Sequence, residues 1–263
     1  LPNGTIGIGD NALGALTTGA ANTAIGYQSA DALTIGRYNT TLGYQALTAE
    51  VEGSNNTAIG YKALFAQNGG GSDGGVTETK NTAIGCNAGL TISTGTSNVI
   101  VGNGALDAEN TGNENVAIGT NALGAATGGV SNCTAVGYQA LQGALVTSGD
   151  NPSGAVGIGY ESGQALTSGL YHMSVGFRSA YSCTTGDKNT AVGYQADYYN
   201  ETGSNNTSLG YTALKGAGAQ NHSNNTAVGF ESLKVITTGG DNAVLGGLAG
   251  KGLTAGEKNV IIG

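Results

Sequence analysis

One phrase, Asn56-Thr57-Ala58-Ile59-Gly60-Tyr61-Lys62-Ala63-Leu64, returns along the whole chain. Its marker glycine recurs at Gly9, Gly26, Gly43, Gly60, Gly85, Gly102, Gly119, Gly137, Gly159, Gly176, Gly193, Gly210, Gly229, Gly246 and Gly263. That makes 15 copies, and ten of the 14 intervals are 17 residues long. A unit this short cannot bury an apolar face alone, whereas stacked copies can, so the period points to a solenoid. Composition agrees. The 49 glycines in 263 residues exclude a helical protein, because glycine in a helix interior costs about 1 kcal/mol relative to alanine. The 2 prolines and the absence of a three-residue period exclude collagen.

Each column of the repeat has its own character. Ile, Val or Leu precedes the marker glycine in all 15 copies, and Asn lies four before it in 11. Tyr or Phe follows it in 9 of 14 copies, and Ala or Ser stands three after it in all 14. The alternation Thr57-Ala58-Ile59-Gly60-Tyr61 has the period of a strand. It places Thr, Ile and Tyr on a face with the bulk to fill a core, and Asn, Ala and Gly on a nearly bare face. A second glycine, seven before the marker in 10 copies, marks a turn. The expected fold is therefore all-β: a parallel β-solenoid (β-roll) of about 15 coils, one repetitive domain over 1–263. Asn56, Ile59, Gly60 and Ala63 exemplify its structural ladder. Stacked asparagines can hydrogen-bond to one another, whereas a charged column would repel itself at ~4.8 Å spacing. Only 10% of the residues are charged.

These residues carry a resemblance. Asn-Thr-Ala-Ile-Gly resembles the head repeats of trimeric autotransporter adhesins (YadA-like), and the longer Asn-Asn-Thr-Ala-Ile-Gly-Tyr-x-Ala-Leu is similar to repeats of phage tail-fibre proteins. The resemblance implies a homotrimer with an extracellular adhesive or host-recognition role, as the rod or head of a viral tail fibre or bacterial surface adhesin. The 17-residue unit is longer than the adhesin repeat, and no self-cleaving chaperone of the tail-fibre kind is seen before Gly263. A self-assembling extracellular filament is the alternative, since neither terminus shows a polar capping repeat and open edges invite pairing. An ice-binding solenoid comes third. It needs an unbroken threonine array, and Val99, Val116, Val156 and Met173 interrupt this one.

Candidate binding residues follow from the repeat and its exceptions. The long intervals place their extra residues at one repeat position, around 65–79, 142–154 and 215–222, and such insertions map to one face of a solenoid. Asn68, Asp73 and Asp150 lie in these loops, and Tyr27, Tyr44 and Tyr61 form the start of an aromatic column; these six are the receptor-binding candidates. The column is broken at Cys86, Asn103 and Thr120. The expected partners are further copies of the chain and a cell-surface glycan or protein receptor.

Other chemistry finds little purchase. A net charge of -8 with no basic cluster argues against nucleic acid. No apolar run is long enough to span a membrane. Gly69-Gly70-Gly71-Ser72-Asp73 is one out-of-register copy of a calcium motif that works in tandem, so no metal or cofactor is expected. His172 and His222 are the only histidines and no nucleophile–base set is apparent, so the chain reads as no enzyme. Cys86, Cys133 and Cys183 occupy separate columns and are expected to be unpaired, buried small hydrophobes. The N-terminal Leu1-Pro2-Asn3-Gly4 reads as a mature or excised terminus.

Overall fold

The structure, a computed structural model, describes residues 2–69, 77–143, 154–218 and 221–263. It is all-β, a parallel solenoid of about 14 turns with a repeat of about 17 residues, and no helix occurs among the described residues. The chain groups into two compact units, residues 1–132 and 133–263.

In the first unit each coil contributes one three-residue strand: β1 (Ile6–Ile8), β2 (Thr23–Ile25), β3 (Thr40–Leu42), β5 (Thr57–Ile59), β7 (Thr82–Ile84), β8 (Val99–Val101) and β9 (Val116–Ile118). Two short strands, β4 (Gly53–Ser54) and β6 (Thr77–Glu78), form a separate parallel pair. The second unit holds β10 (Thr134–Val136), β11 (Val156–Ile158), β12 (Met173–Val175), β13 (Thr190–Val192), β14 (Thr207–Leu209), β15 (Thr226–Val228), β16 (Ala243–Leu245) and β17 (Val260–Ile262). Within each unit the pairing is parallel and keeps repeat columns in register, as in Thr40↔Thr57, Thr41↔Ala58 and Leu42↔Ile59. Intervals longer than 17 residues do not break it: Thr57 pairs with Thr82 across the 25-residue interval, and Thr134 with Val156 across the 22-residue one.

The strands are short because the marker glycine ends them. Gly9 has φ +127°, and a Cβ there would meet the Gly26 carbonyl oxygen at 2.5 Å. Both the left-handed backbone and the close approach of the next coil require glycine. Past it, the chain turns through residues that alternate in handedness. Gln45 (φ 53°) and Leu47 (φ 55°) are left-handed, as are Lys62 and Leu64 one coil on. Such conformations are unfavourable outside glycine, and coil-to-coil hydrogen bonds hold them. Gln45 N donates to Tyr27 O (2.9 Å), and Leu47 N to Ala63 O (2.9 Å).

One expectation is reversed. The bulky Thr/Ile/Tyr face does not fill the core. The middle strand residue, Ala58 in β5, is fully buried, while Thr57 and Ile59 on either side are only half-buried and Tyr61 is exposed. The corner leucines Leu47, Leu64, Leu106 and Leu123 are the fully buried large side chains instead. A 17-residue coil encloses little space. Once the leucines fill it, a small residue fits inward from most strands; the larger Ile100 in β8 and Val244 in β16 are buried beside Gly89 and Gly250, which take the corner-leucine place. In the first unit this yields the cluster Leu13, Ala24, Ala30 and Leu33, and in the second Leu214, Ala227, Leu233, Ile236 and Val244.

The asparagine column lines the interior. Asn56 Nδ2 donates to Asn39 Oδ1 (3.1 Å), and Asn39 Nδ2 to Asn22 Oδ1 (3.1 Å). Asn39 Nδ2 also reaches the carbonyl of the turn glycine Gly53 (2.9 Å). Each amide therefore ties its copy of the repeat to the one before and, through that turn glycine, to the one after. The ladder runs from Asn22 to Asn115 in the first unit and from Asn189 to Asn259 in the second. Ala155 and His172 stand in its column ahead of Asn189, and both are buried. Cys133, also in that column, and Cys183 are buried; Cys86, contrary to expectation, is exposed, because the column after the marker glycine points outward.

Candidate functional site

The residue after the marker glycine leaves the strand with its side chain turned to solvent. Tyr27, Tyr44 and Tyr61 consequently form an exposed stack with ring centroids 5.3 and 5.4 Å apart and planes 13° and 11° from parallel. In the second unit the same column makes a longer stack: Tyr138, Tyr160, Phe177, Tyr194, Tyr211 and Phe230, at spacings of 5.2, 5.1, 5.2, 5.0 and 5.3 Å. A coil rise close to one strand spacing sets this distance.

A second aromatic column, five residues after the marker glycine, holds Phe65, Tyr181 and Tyr198. Tyr181 and Tyr198 stack at 5.0 Å, and Tyr199 meets Tyr198 edge-on at 4.6 Å. Cations lie over both columns. The Arg178 guanidinium is 5.3 Å from the centroids of Phe177 and Tyr181 and bonds to Glu161 at 2.6 Å. Glu161, accepting from it, raises the Arg178 pKa, and the same carboxylate raises that of the Tyr160 phenol. Lys62 Nζ sits 5.4 Å from the Tyr61 ring and 5.0 Å from Phe65.

Where the first stack stops, a surface pocket of about 450 Å³ opens. Its walls include Tyr61, Lys62, Phe65, Asn87, Leu90 and Thr91. The column's next residue is Cys86, too short to cover the outer face of Tyr61.

Of the loop candidates, Asn68 is exposed, with its N–H bonded to Ser93 O (2.8 Å). Asp73 and Asp150 lie outside the described residues, as do parts of all three insertions (70–76, 144–153 and 219–220). Nothing brings Asn68 together with the tyrosine stack. Among the ladder residues, Asn56 and Ala63 are buried, and Gly60 has φ +131°. The sheet itself presents exposed apolar side chains outward, including Ile8, Leu42, Ile84, Leu209 and Leu245.

The second aromatic column, the cations above it and the pocket were missed from the sequence. Their signal was there: an aromatic five after the marker at Phe65, Tyr181 and Tyr198. Also missed was a buried polar cluster in the second unit. Asp197 takes a corner-leucine position and His222 a turn-glycine position, with Asp197 Oδ1 and His222 Nε2 3.7 Å apart. Burial pushes Asp197 up to about 7 and His222 down to about 4, so each favours its neutral form. His172 Nε2 contacts the Gly186 carbonyl and lies 3.4 Å from Cys183 Sγ. Burial lowers the His172 pKa and pushes the Cys183 thiol up to about 12. Among the described residues no three His, Cys, Asp or Glu side chains are placed to hold a metal ion.

No family model, no curated protein and no solved structure matches this chain.

Proposed function

We propose that this chain is a structural and adhesive fibre segment, the rod or head of a viral tail fibre or bacterial surface adhesin, working outside the cell without catalysis. The observation that carries the reading is the exposed aromatic stack, repeated coil after coil at about one strand spacing. Such a stack supplies many equivalent rigid contact sites, each weak, whose effects combine through avidity. A cell-surface glycan or protein receptor is the partner. The purified chain is expected to bind host or target cells, and Tyr160→Ser/Tyr194→Ser is expected to reduce that binding several-fold, with some loss of thermal stability from the missing ring contacts and far-ultraviolet circular dichroism confirming that the variant is folded. Unaltered binding by that double variant would remove the aromatic stack from the adhesive role.

The outward apolar column supports self-association as a homotrimer, with exposed strand faces covered by neighbouring chains. An exposed apolar surface of this extent is unusual on a monomer. Light scattering is expected to give three times the chain mass of 25.7 kDa. A stable monomer would sink the trimer. Fibres growing from pure chain, seen by negative-stain microscopy, would favour the second reading, a self-assembling filament.

A further inference from the structure

We propose that the pocket beside Tyr61 binds a carboxylated pyranose, an acidic sugar unit of a surface glycan. The inference rests on the adhesive reading above and names a ligand class for one site.

Four features converge there. One face of Tyr61 is occupied by Tyr44 at 5.4 Å, while the other lacks a ring because Cys86 follows in the column. Phe65 and Leu90 extend that apolar wall. The C–H face of a sugar ring is apolar and weakly positive, and it complements the negative face of an aromatic ring. Lys62 supplies the charge. Arg178, Lys80, Lys234 and Lys251 each have a carboxylate partner, but among the described residues no carboxylate lies within ion-pair distance of Lys62. In a chain of net charge -8, this ammonium group stands over two rings without an acidic partner among the described residues. A ligand carboxylate fills that role with a charge-assisted hydrogen bond. Finally, Asn87 lines the pocket and its Oδ1 has no hydrogen-bond partner. That oxygen is buried, so a ligand hydroxyl donates to it once the amide turns toward the pocket, and then satisfies an acceptor that is otherwise unpaired.

The combination also rejects competitors. Paired aromatic faces suit quaternary ammonium groups, but Lys62 repels them. A neutral sugar gains the ring contact and leaves Lys62 unpaired. The volume, about 450 Å³, lies in the range of small-ligand sites and has room for a sugar ring.

Methyl α-glucuronide and methyl α-glucoside differ only in C6, which is a carboxylate in the first and a hydroxymethyl group in the second. Titrated into the full chain by calorimetry, the glucuronide is expected to bind about tenfold more tightly, with the advantage shrinking at high salt. Lys62→Gln is expected to erase the difference. Cys86→Tyr, which continues the stack over Tyr61, is expected to abolish binding of both, with thermal unfolding confirming that each variant is folded. Equal affinity for the two sugars, no binding of either up to roughly 10 mM, or glucuronide binding indifferent to both variants would overturn the proposal. Cell adhesion separates the two levels. If sugar binding is absent while adhesion persists and depends on Tyr160 and Tyr194, this pocket falls and the adhesive reading stands. If neither sugar binding nor adhesion is found, both fall.

Discussion

Glu109 in the first unit and Asp197 in the second are both fully buried carboxylates standing where other coils place leucine or isoleucine. They are solvated very differently. Glu109 Oε1 accepts from the N–H groups of Asn110 (2.8 Å), Thr111, Gly112 and Gly129 (each 2.9 Å), and its Oε2 from Val130 (3.0 Å). Asp197 has one donor, Asn200 Nδ2 at 3.3 Å on Oδ2, and its Oδ1 is unpartnered. Position within the coil explains the contrast. Glu109 precedes the glycine turn, where successive N–H groups point inward and form an anion nest. Asp197 sits at the corner, where N–H groups are already committed to the neighbouring coil, its own to Ala213 O at 3.0 Å. A coil of this fold can therefore solvate a carboxylate from its turn and cannot do so from its corner.

The largest effect should come from breaking the nest. Glu109→Ala removes the acceptor for five N–H groups, and a loss of roughly 3–5 kcal/mol in denaturant unfolding is expected. Glu109→Gln, which keeps one oxygen acceptor, should lose distinctly less. A cost below about 1 kcal/mol for the alanine would mean that water replaces the carboxylate and that the nest contributes little.

The corner carboxylate should behave in the opposite sense. Asp197, raised from 3.8 to about 7, favours the folded state at low pH, and this contribution is lost as pH rises between those values. His222, lowered from 6.5 to about 4, works the other way: its contribution is complete above about 6.5 and is lost as pH falls towards 4. The two trends oppose each other over most of that window. Asp197→Asn removes the first and leaves the second. Relative to the parent, it should gain stability steadily from pH 4 to 7, by a few kcal/mol, and no more above that. A pH-independent difference would show that Asp197 is ionised throughout, as an ion pair with His222. Asp197→Leu, restoring the corner residue of most coils, should stabilise at pH 8 by about 1–4 kcal/mol.

What could be read from the sequence follows from the same geometry. The period, the strand at Thr57–Ile59, the glycine that ends it and the amide column were legible because each demands one residue type at one spacing. The inside of the coil was not. Alternation at Thr57-Ala58-Ile59 says that two faces differ, and bulk suggested the wrong one, because the volume inside the coil is set by leucines such as Leu64 that follow a turn. Those turns hold left-handed Gln, Leu and Lys residues, which local preference alone would not choose. Tyr27, Tyr44 and Tyr61 could be aligned as a column, but that Phe65 stands beside Tyr61 depends on the corner's path.

A smaller effect tests the amide ladder. In the second unit His172 holds the place of an asparagine, and Asn189 Nδ2, which donates to Gly203 O (2.7 Å), lies 3.5 Å from the His172 Nε2 instead of bonding to the side-chain oxygen of a preceding asparagine. His172→Asn should extend the Asn189–Asn259 ladder by one rung, adding about 1 kcal/mol. In the first unit Asn39→Ala should lose more than that, because Asn22, Asn56 and Gly53 all lose a partner. If His172→Asn destabilises, the histidine is the better partner for Gly186 and Cys183, and the interruption is a feature of that coil.

The smallest effect concerns the two aromatic stacks, three rings in the first unit and six in the second. Every coil leaves the marker glycine in the same way, Cys86 is exposed, and Gly85 has φ +141°, close to the +142° of Gly43. Only the side chain separates Cys86 from a fourth ring. Cys86→Tyr should add one stacking contact, worth about 0.5–1.5 kcal/mol beyond its buried area, and should change the near-ultraviolet circular dichroism as the chromophores couple. The gain is limited because the added ring remains partly exposed, like Tyr61 at 47%. An unstacked ring would mean that the ladder needs support from its flanks as well as the coil rise. The second unit has such support at Arg178, whose guanidinium lies over Phe177 and Tyr181 together, and the first has it at Lys62 over Tyr61 and Phe65. The coil of Cys86 has Asn87 and Leu90 in those two columns, with no cation and no second ring, which is why stacking there rests on the backbone geometry alone.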